Sequence, residues 1–347
     1  MNIYLCIIMG VLLLEFILFN LSRYLDLQNI STSLPNAFKG YYSPNEYARS
    51  QDYLAENTRF SYLTSAVDLI IILMVILLGL FNNVDLWLRD FGFSPMVTGL
   101  LFFGVLFLFQ DIISTPFSLY GTFIIEEDFG FNKTTPKTYL VDKLKGYFLL
   151  ILLGGFTLFL ILIFFNKFGD YAWLYAWVAL SAILVLAQPL FTSVIAPMFN
   201  KFTPLEDGEL KNKINAFAEK VNFPLSRIDV MDGSRRSSKA NAYFSGLGKN
   251  KRIALFDTLI EKHSVEELVS IIAHEIGHYK KKHNIKGIIM GVVQTGIMFY
   301  LLSLFINNEA LFAAFKMENV SIYASLLFFS ILYSPIELIM SFLGNAI

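Results

Sequence analysis

Seven stretches of about 20 mostly apolar residues recur along this chain, and segments of that length and composition are what crosses the hydrocarbon core of a bilayer. They occupy residues 3–21, 62–81, 96–117, 147–165, 172–195, 288–306 and 322–343. Within lipid each backbone N–H and C=O must be satisfied inside its own segment, so every stretch is predicted to be a helix. Composition agrees: 55% of the residues are hydrophobic and 16% charged, against a usual charged share of about 25%. The first stretch lacks both a basic leader and a small-residue cleavage site, so it reads as a retained span.

Lys and Arg alternate between the connections. The first, third and fifth carry four, four and sixteen; the second, fourth and sixth carry one each. The positive-inside rule then puts the N-terminus outside and the large fifth loop and the C-terminus in the cytoplasm. The chain accordingly divides into a five-span membrane region (1–195), a polar domain (196–287) and two further spans (288–347). A net charge of −1 gives no footprint for a nucleic-acid partner. Cys6 is the single cysteine, which rules out an intramolecular disulfide or a cysteine metal cluster.

The polar domain holds the chemistry. A helix is predicted over 208–221 and short strands over 227–231 and 252–256, with Asp232-Gly233 as turn chemistry after the first. A second helix starts at Ser264, with Glu267 three residues on, the sequence form of a capping box. It carries residues 274–278, His-Glu-Ile-Gly-His. Histidines at i and i+4 lie on one helix face, so His274 and His278 can share one Zn²⁺. Glu275 can then reach a water at the metal without ligating it, and act as general base.

A catalytic zinc site needs a third protein ligand. His283 is nearest in sequence, but Lys281 and Asn284 stand where the metzincin pattern needs Gly and His. His263 precedes the helix cap and reads as a solvated surface histidine. Glu309 and Glu318 fall in the sixth loop, on the opposite side of the membrane. Glu337, in the last span, is an intramembrane carboxylate and so a functional candidate.

Around this motif the chain resembles the type I CAAX prenyl protease family, integral-membrane zinc metalloendopeptidases of the gluzincin kind. Residues 116–135, PFSLYGTFIIEEDFGFNKTT, resemble the family's loop after its third span. Residues 197–210, PMFNKFTPLEDGEL, resemble the start of its catalytic domain, and 231–259, MDGSRRSSKANAYFSGLGKNKRIALFDTL, its substrate-strand segment. The resemblance implies an all-α polytopic fold, seven helices enclosing a chamber, with a cytosolic α+β metallopeptidase domain. It implies one zinc per chain and a peptide or protein substrate, prenylated or membrane-associated. It also implies that Asn241, Ala242 and Gly246 lie beside the substrate, where an extended strand could pair with a peptide backbone.

Two departures from the family pattern stand out. Lys239-Ala240 replaces the His-Ser usual in eukaryotic members and looks bacterial. The family's third zinc ligand is a glutamate soon after its last span, so it is expected beyond Ile347, in a chain read as C-terminally incomplete. The heat-shock membrane metallopeptidases share the metal motif but usually have fewer spans. Two other classes compete with a peptidase. A truncated, non-catalytic scaffold or peptide-binding pseudoenzyme would explain the missing ligand. A channel or transporter would use Glu15, Asp68, Asp111 and Glu337 within or at the edges of spans.

Overall fold

The structure, a computed structural model, describes residues 2–245 and 251–345 of the 347. Seven helices in it are long and apolar enough to cross a membrane: Ile3–Gln28, Pro44–Leu77, Pro95–Asp128, Pro136–Lys167, Gly169–Ala187, His283–Phe305 and Ile322–Met340. All seven coincide with the apolar stretches, but several are longer. The second begins at Pro44, eighteen residues before its stretch, because Ser43-Pro44 is a favourable helix start and the polar run after it consists of good helix formers. The third span contains Pro116 and takes in a π-turn at Gly121–Ile125; the helix of the fifth continues past the span to Leu190, through Pro189, and into a π-turn at Phe191–Ile195. Proline removes a donor from the i→i−4 ladder, and a locally widened helix is one way to absorb that loss.

The chain forms two compact units. The first comprises 1–129, 155–176 and 298–347. Its core is aromatic: Phe315 and Phe328 stack at 3.8 Å, with Phe81 edge-on to both. Gly99 permits a close helix approach, since a Cβ there would sit 2.9 Å from Tyr323 Cδ1 and 3.1 Å from Leu162 Cδ1. The second and sixth connections meet in this unit. Asn82 Nδ2 donates to Glu318 Oε1 (3.1 Å), and the Glu318 amide donates to Asn82 Oδ1 (3.0 Å). Fully buried Asp85 accepts from Arg89 Nε at 2.8 Å and from the Tyr323 hydroxyl. A buried carboxylate is tolerated only with such partners.

The first unit also carries an open cavity of about 1100 Å³. Its walls come from the first, second, third and seventh spans and are largely apolar, with Glu15, Asp68 and Glu337 among the lining side chains.

The second unit comprises 130–154 and 177–297. It is built on a four-stranded sheet of order β1-β2-β4-β3: β1 Phe202–Pro204, β2 Leu225–Met231, β3 Ala242–Ser245 and β4 Lys251–Phe256. β2 and β4, the two strands expected from sequence, pair in parallel; β1 and β3 flank them antiparallel. β3 is thus an edge strand. The helices Glu209–Lys220 and Val265–Lys280 complete the core, with Ile214, Ile253, Leu255, Leu268, Ile272 and Ile276 buried together.

Candidate metal centre and substrate strand

The helix Val265–Lys280 is fixed at its start by a reciprocal capping box. The Glu267 amide donates to Ser264 Oγ (3.4 Å), and the Ser264 amide donates to Glu267 Oε2 (2.8 Å). Leu268, Ile272 and Ile276, at i, i+4 and i+8, are buried in the core. Two positions further on is roughly 200° round the helix, so His274 and His278 lie on the side away from that stripe. Burial of the apolar stripe therefore sets where the histidines point.

His274 Nε2 and His278 Nε2 approach to 3.1 Å, with ring planes 78° apart. Two nitrogens each about 2.0–2.1 Å from a shared tetrahedral zinc sit about 3.3–3.4 Å apart. The pair thus has the donor chemistry and nearly the spacing that zinc takes. Glu275, half-buried, has neither a hydrogen bond nor an ion pair among the described residues. No group of three or more His, Cys, Asp and Glu side chains that could hold a metal occurs among the described residues. His283 makes its contact on the other side of His278, Nδ1 to Nδ1 at 2.8 Å. Glu337 lines the cavity of the first unit. His263 instead faces Glu267, its Nδ1 3.6 Å from Oε2.

β3 packs beside the metal-motif helix. Asn241 immediately precedes it and Ala242 opens it; Gly246 falls outside the described residues. Its register with β4 sets which groups are spoken for. The Phe256 amide donates to Asn241 O (3.1 Å), and Tyr243 and Ser245 face Ala254 and Arg252. In an antiparallel pair these alternate residues bond inward, which turns the backbone groups of Ala242 and Phe244 towards the open edge. The Ala242 amide is met by Asn241 Oδ1 at 2.8 Å.

Two segments held apart in sequence lock the approach to β3. Asn132 and Ser237 form an antiparallel bridge. The Lys133 amide donates to Arg236 O and the Ser238 amide to Phe131 O, each at 3.0 Å. Arg236 grips Asp142 with two bonds, Nε to Oδ2 at 2.7 Å and Nη2 to Oδ1 at 2.9 Å, and reaches Asn200 Oδ1 at 3.0 Å. The FGFNKTT loop is thus a brace for the strand segment, a role not legible from either stretch alone. Lys239 lays its ammonium 4.9 Å over the Phe131 ring, which gives that lysine a local reason to be there. Behind the strand, Lys251 is buried against Phe244 and Tyr279, and burial pushes its pKa down.

A multi-span protein with an HExxH helix packed beside a sheet edge defines a class, the integral-membrane metallopeptidases. Residues 23–201 match a family model described as the CAAX prenyl protease N-terminal region with five membrane helices, and 204–344 match peptidase family M48. The chain is 36% identical to CAAX prenyl protease 1 of Saccharomyces cerevisiae over 322 residues, covering 89% of this chain and 71% of that one. It is 37% identical to a probable CAAX prenyl protease 1 of Schizosaccharomyces pombe over 324 residues, covering 89% and 67%. The crystal structure of S. mikatae Ste24p superposes with a TM-score of 0.92 at 32% identity, over 98% of this chain and 84% of that one. The chain belongs to the CAAX prenyl protease family of M48 peptidases and is a multi-pass membrane zinc metalloprotease.

Two expectations drawn from the departures are not supported. These relatives are eukaryotic, which gives the bacterial reading of Lys239-Ala240 no backing. The expectation of a C-terminally incomplete chain likewise gains no support; the matches span 89–98% of this chain and 67–84% of those relatives.

Proposed function

We propose that this protein hydrolyses a peptide bond near the C-terminus of prenylated, membrane-associated proteins, with His274 and His278 as zinc ligands and Glu275 as general base. The observation that carries the reading is the 3.1 Å approach of the two Nε2 atoms on a helix beside an edge strand. Zinc, when bound, supplies Lewis acidity that polarises a carbonyl and acidifies water. Glu275 accepts a proton from the attacking water and returns it to the leaving amine. β3 holds the substrate extended. The outward carbonyls of Ala242 and Phe244 and the Phe244 amide are the groups offered to its backbone, while Asn241 fixes the start of the strand; Gly246 is the third residue proposed to bind the substrate. Main-chain pairing of this kind tolerates varied side chains.

The metallopeptidase domain is taken as 196–287, between a five-span region (1–195) and a two-span one (288–347). That domain and the C-terminus face the cytoplasm and the N-terminus lies outside, as the Lys and Arg counts favour.

The test is cleavage of a farnesylated CAAX peptide and its unprenylated twin by the purified protein, with zinc content measured alongside. Cleavage of the farnesylated peptide is expected, and Glu275→Gln should lower it by about 10²–10⁴-fold while zinc stays bound. Equal rates on both peptides would remove prenylation from the reading. A protein that binds no zinc and cleaves neither would instead be the non-catalytic scaffold.

A further inference from the structure

We propose that His283 is a positioning residue for His278, holding it in the tautomer and orientation that present Nε2 to the metal. The inference rests on the zinc site proposed above and goes beyond it. The two ring nitrogens of His278 face different partners: Nε2 lies 3.1 Å from His274 Nε2, and Nδ1 lies 2.8 Å from His283 Nδ1. A neutral imidazole has one donor nitrogen and one acceptor. With Nε2 given to a metal, His278 carries its proton on Nδ1 and donates it to His283 Nδ1. His283 then keeps its own proton on Nε2. Ligating histidines are commonly fixed by a partner at the second nitrogen.

The backbone is shaped for this contact. On a continuous helix, residues five apart stand roughly 140° apart and do not face each other. The metal-motif helix ends at Lys280, and Lys282 takes φ 57°, a left-handed conformation disfavoured for a residue with a Cβ. His283 follows at once and opens the sixth span. The reversal at Lys282 is what returns His283 to the far nitrogen of His278. This also accounts for its failure as a third ligand, since it is engaged on the side of His278 remote from His274.

The experiment uses the full chain in detergent, stripped of metal and titrated with Zn²⁺ against a competing chromophoric chelator. The forms compared are the wild type, His278→Ala, His283→Ala and His283→Asn, whose Oδ1 can still accept a hydrogen bond. Zinc affinity should fall by about 10–100-fold in His283→Ala and recover most of that in His283→Asn. The visible absorption of the Co²⁺-loaded protein should move in the alanine form and return in the asparagine form. Should His283→Ala fail to fold, His283→Phe keeps the ring bulk without an acceptor and is expected to lose affinity equally. Unchanged zinc affinity and Co²⁺ absorption on losing the acceptor overturn the proposal. Absence of His278-dependent zinc binding in the wild type overturns the site reading itself, and this proposal with it.

Discussion

Glu337 shows how carboxylates within the spans differ from a buried one outside them. It lines an apolar cavity together with Glu15 and Asp68, and none of the three has a hydrogen bond or ion pair among the described residues. Asp85, outside the long spans, is by contrast tied to Arg89 and Tyr323. A metal ligand would join a group with His274 and His278, and no group of three is present among the described residues. Glu337→Gln is therefore expected to leave the zinc content of the purified protein unchanged, as read by elemental analysis; loss of the metal would make Glu337 a ligand after all. At this scale the sequence was informative where geometry is local. The i, i+4 spacing of His274 and His278 and the Ser264–Glu267 cap are set by helix periodicity alone. The His278–His283 contact was not legible, because it depends on a left-handed lysine, and lysine carries no signal for that conformation as glycine does.

At the scale of elements, the brace around β3 is held by a bidentate pair spanning 94 positions, Arg236 to Asp142. Both side chains are more than three-quarters buried, so the pair is screened less than an exposed one. A double-mutant cycle with Arg236→Ala and Asp142→Ala should give a coupling energy of about 1–3 kcal/mol. If the brace positions the substrate strand, KM should rise more than kcat falls; additive effects on stability and none on KM would reduce it to a surface contact. The parallel core strands were readable from β-branched and apolar runs at 227–231 and 252–256. β3 was not readable from pattern, since four residues are too few to show alternation. Only the resemblance marked it. Five of the seven spans were recognised in place but drawn short, because hydropathy ends where lipid ends while the hydrogen-bond ladder continues, as in the polar first half of Pro44–Leu77.

For the whole molecule, the seven candidate spans among the described residues predict, by their odd number, two termini on opposite faces of the membrane. The joining of the second and sixth connections through Asn82 and Glu318 fits this, since alternation puts both on one side. The absolute orientation can be fixed with cysteine, because Cys6 is the single native one. In a Cys6→Ser background, Glu206→Cys should react with an impermeant maleimide only after the cytoplasmic face is opened, whereas Asn308→Cys should react in intact cells. The reverse pattern would invert the topology.

Between the last residue of the metal-motif helix, Lys280, and the first of the sixth span, His283, lie two residues. That is too little chain to act as slack. The two helices are close to a jointed rod with a single elbow at Lys282, and the elbow sits beside His278, the proposed zinc ligand. A tilt of the span is a rotation applied at His283, one hydrogen bond from His278. On the proposed zinc reading the bilayer becomes part of the hinge, and its thickness is expected to help set the angle at which His278 meets the metal.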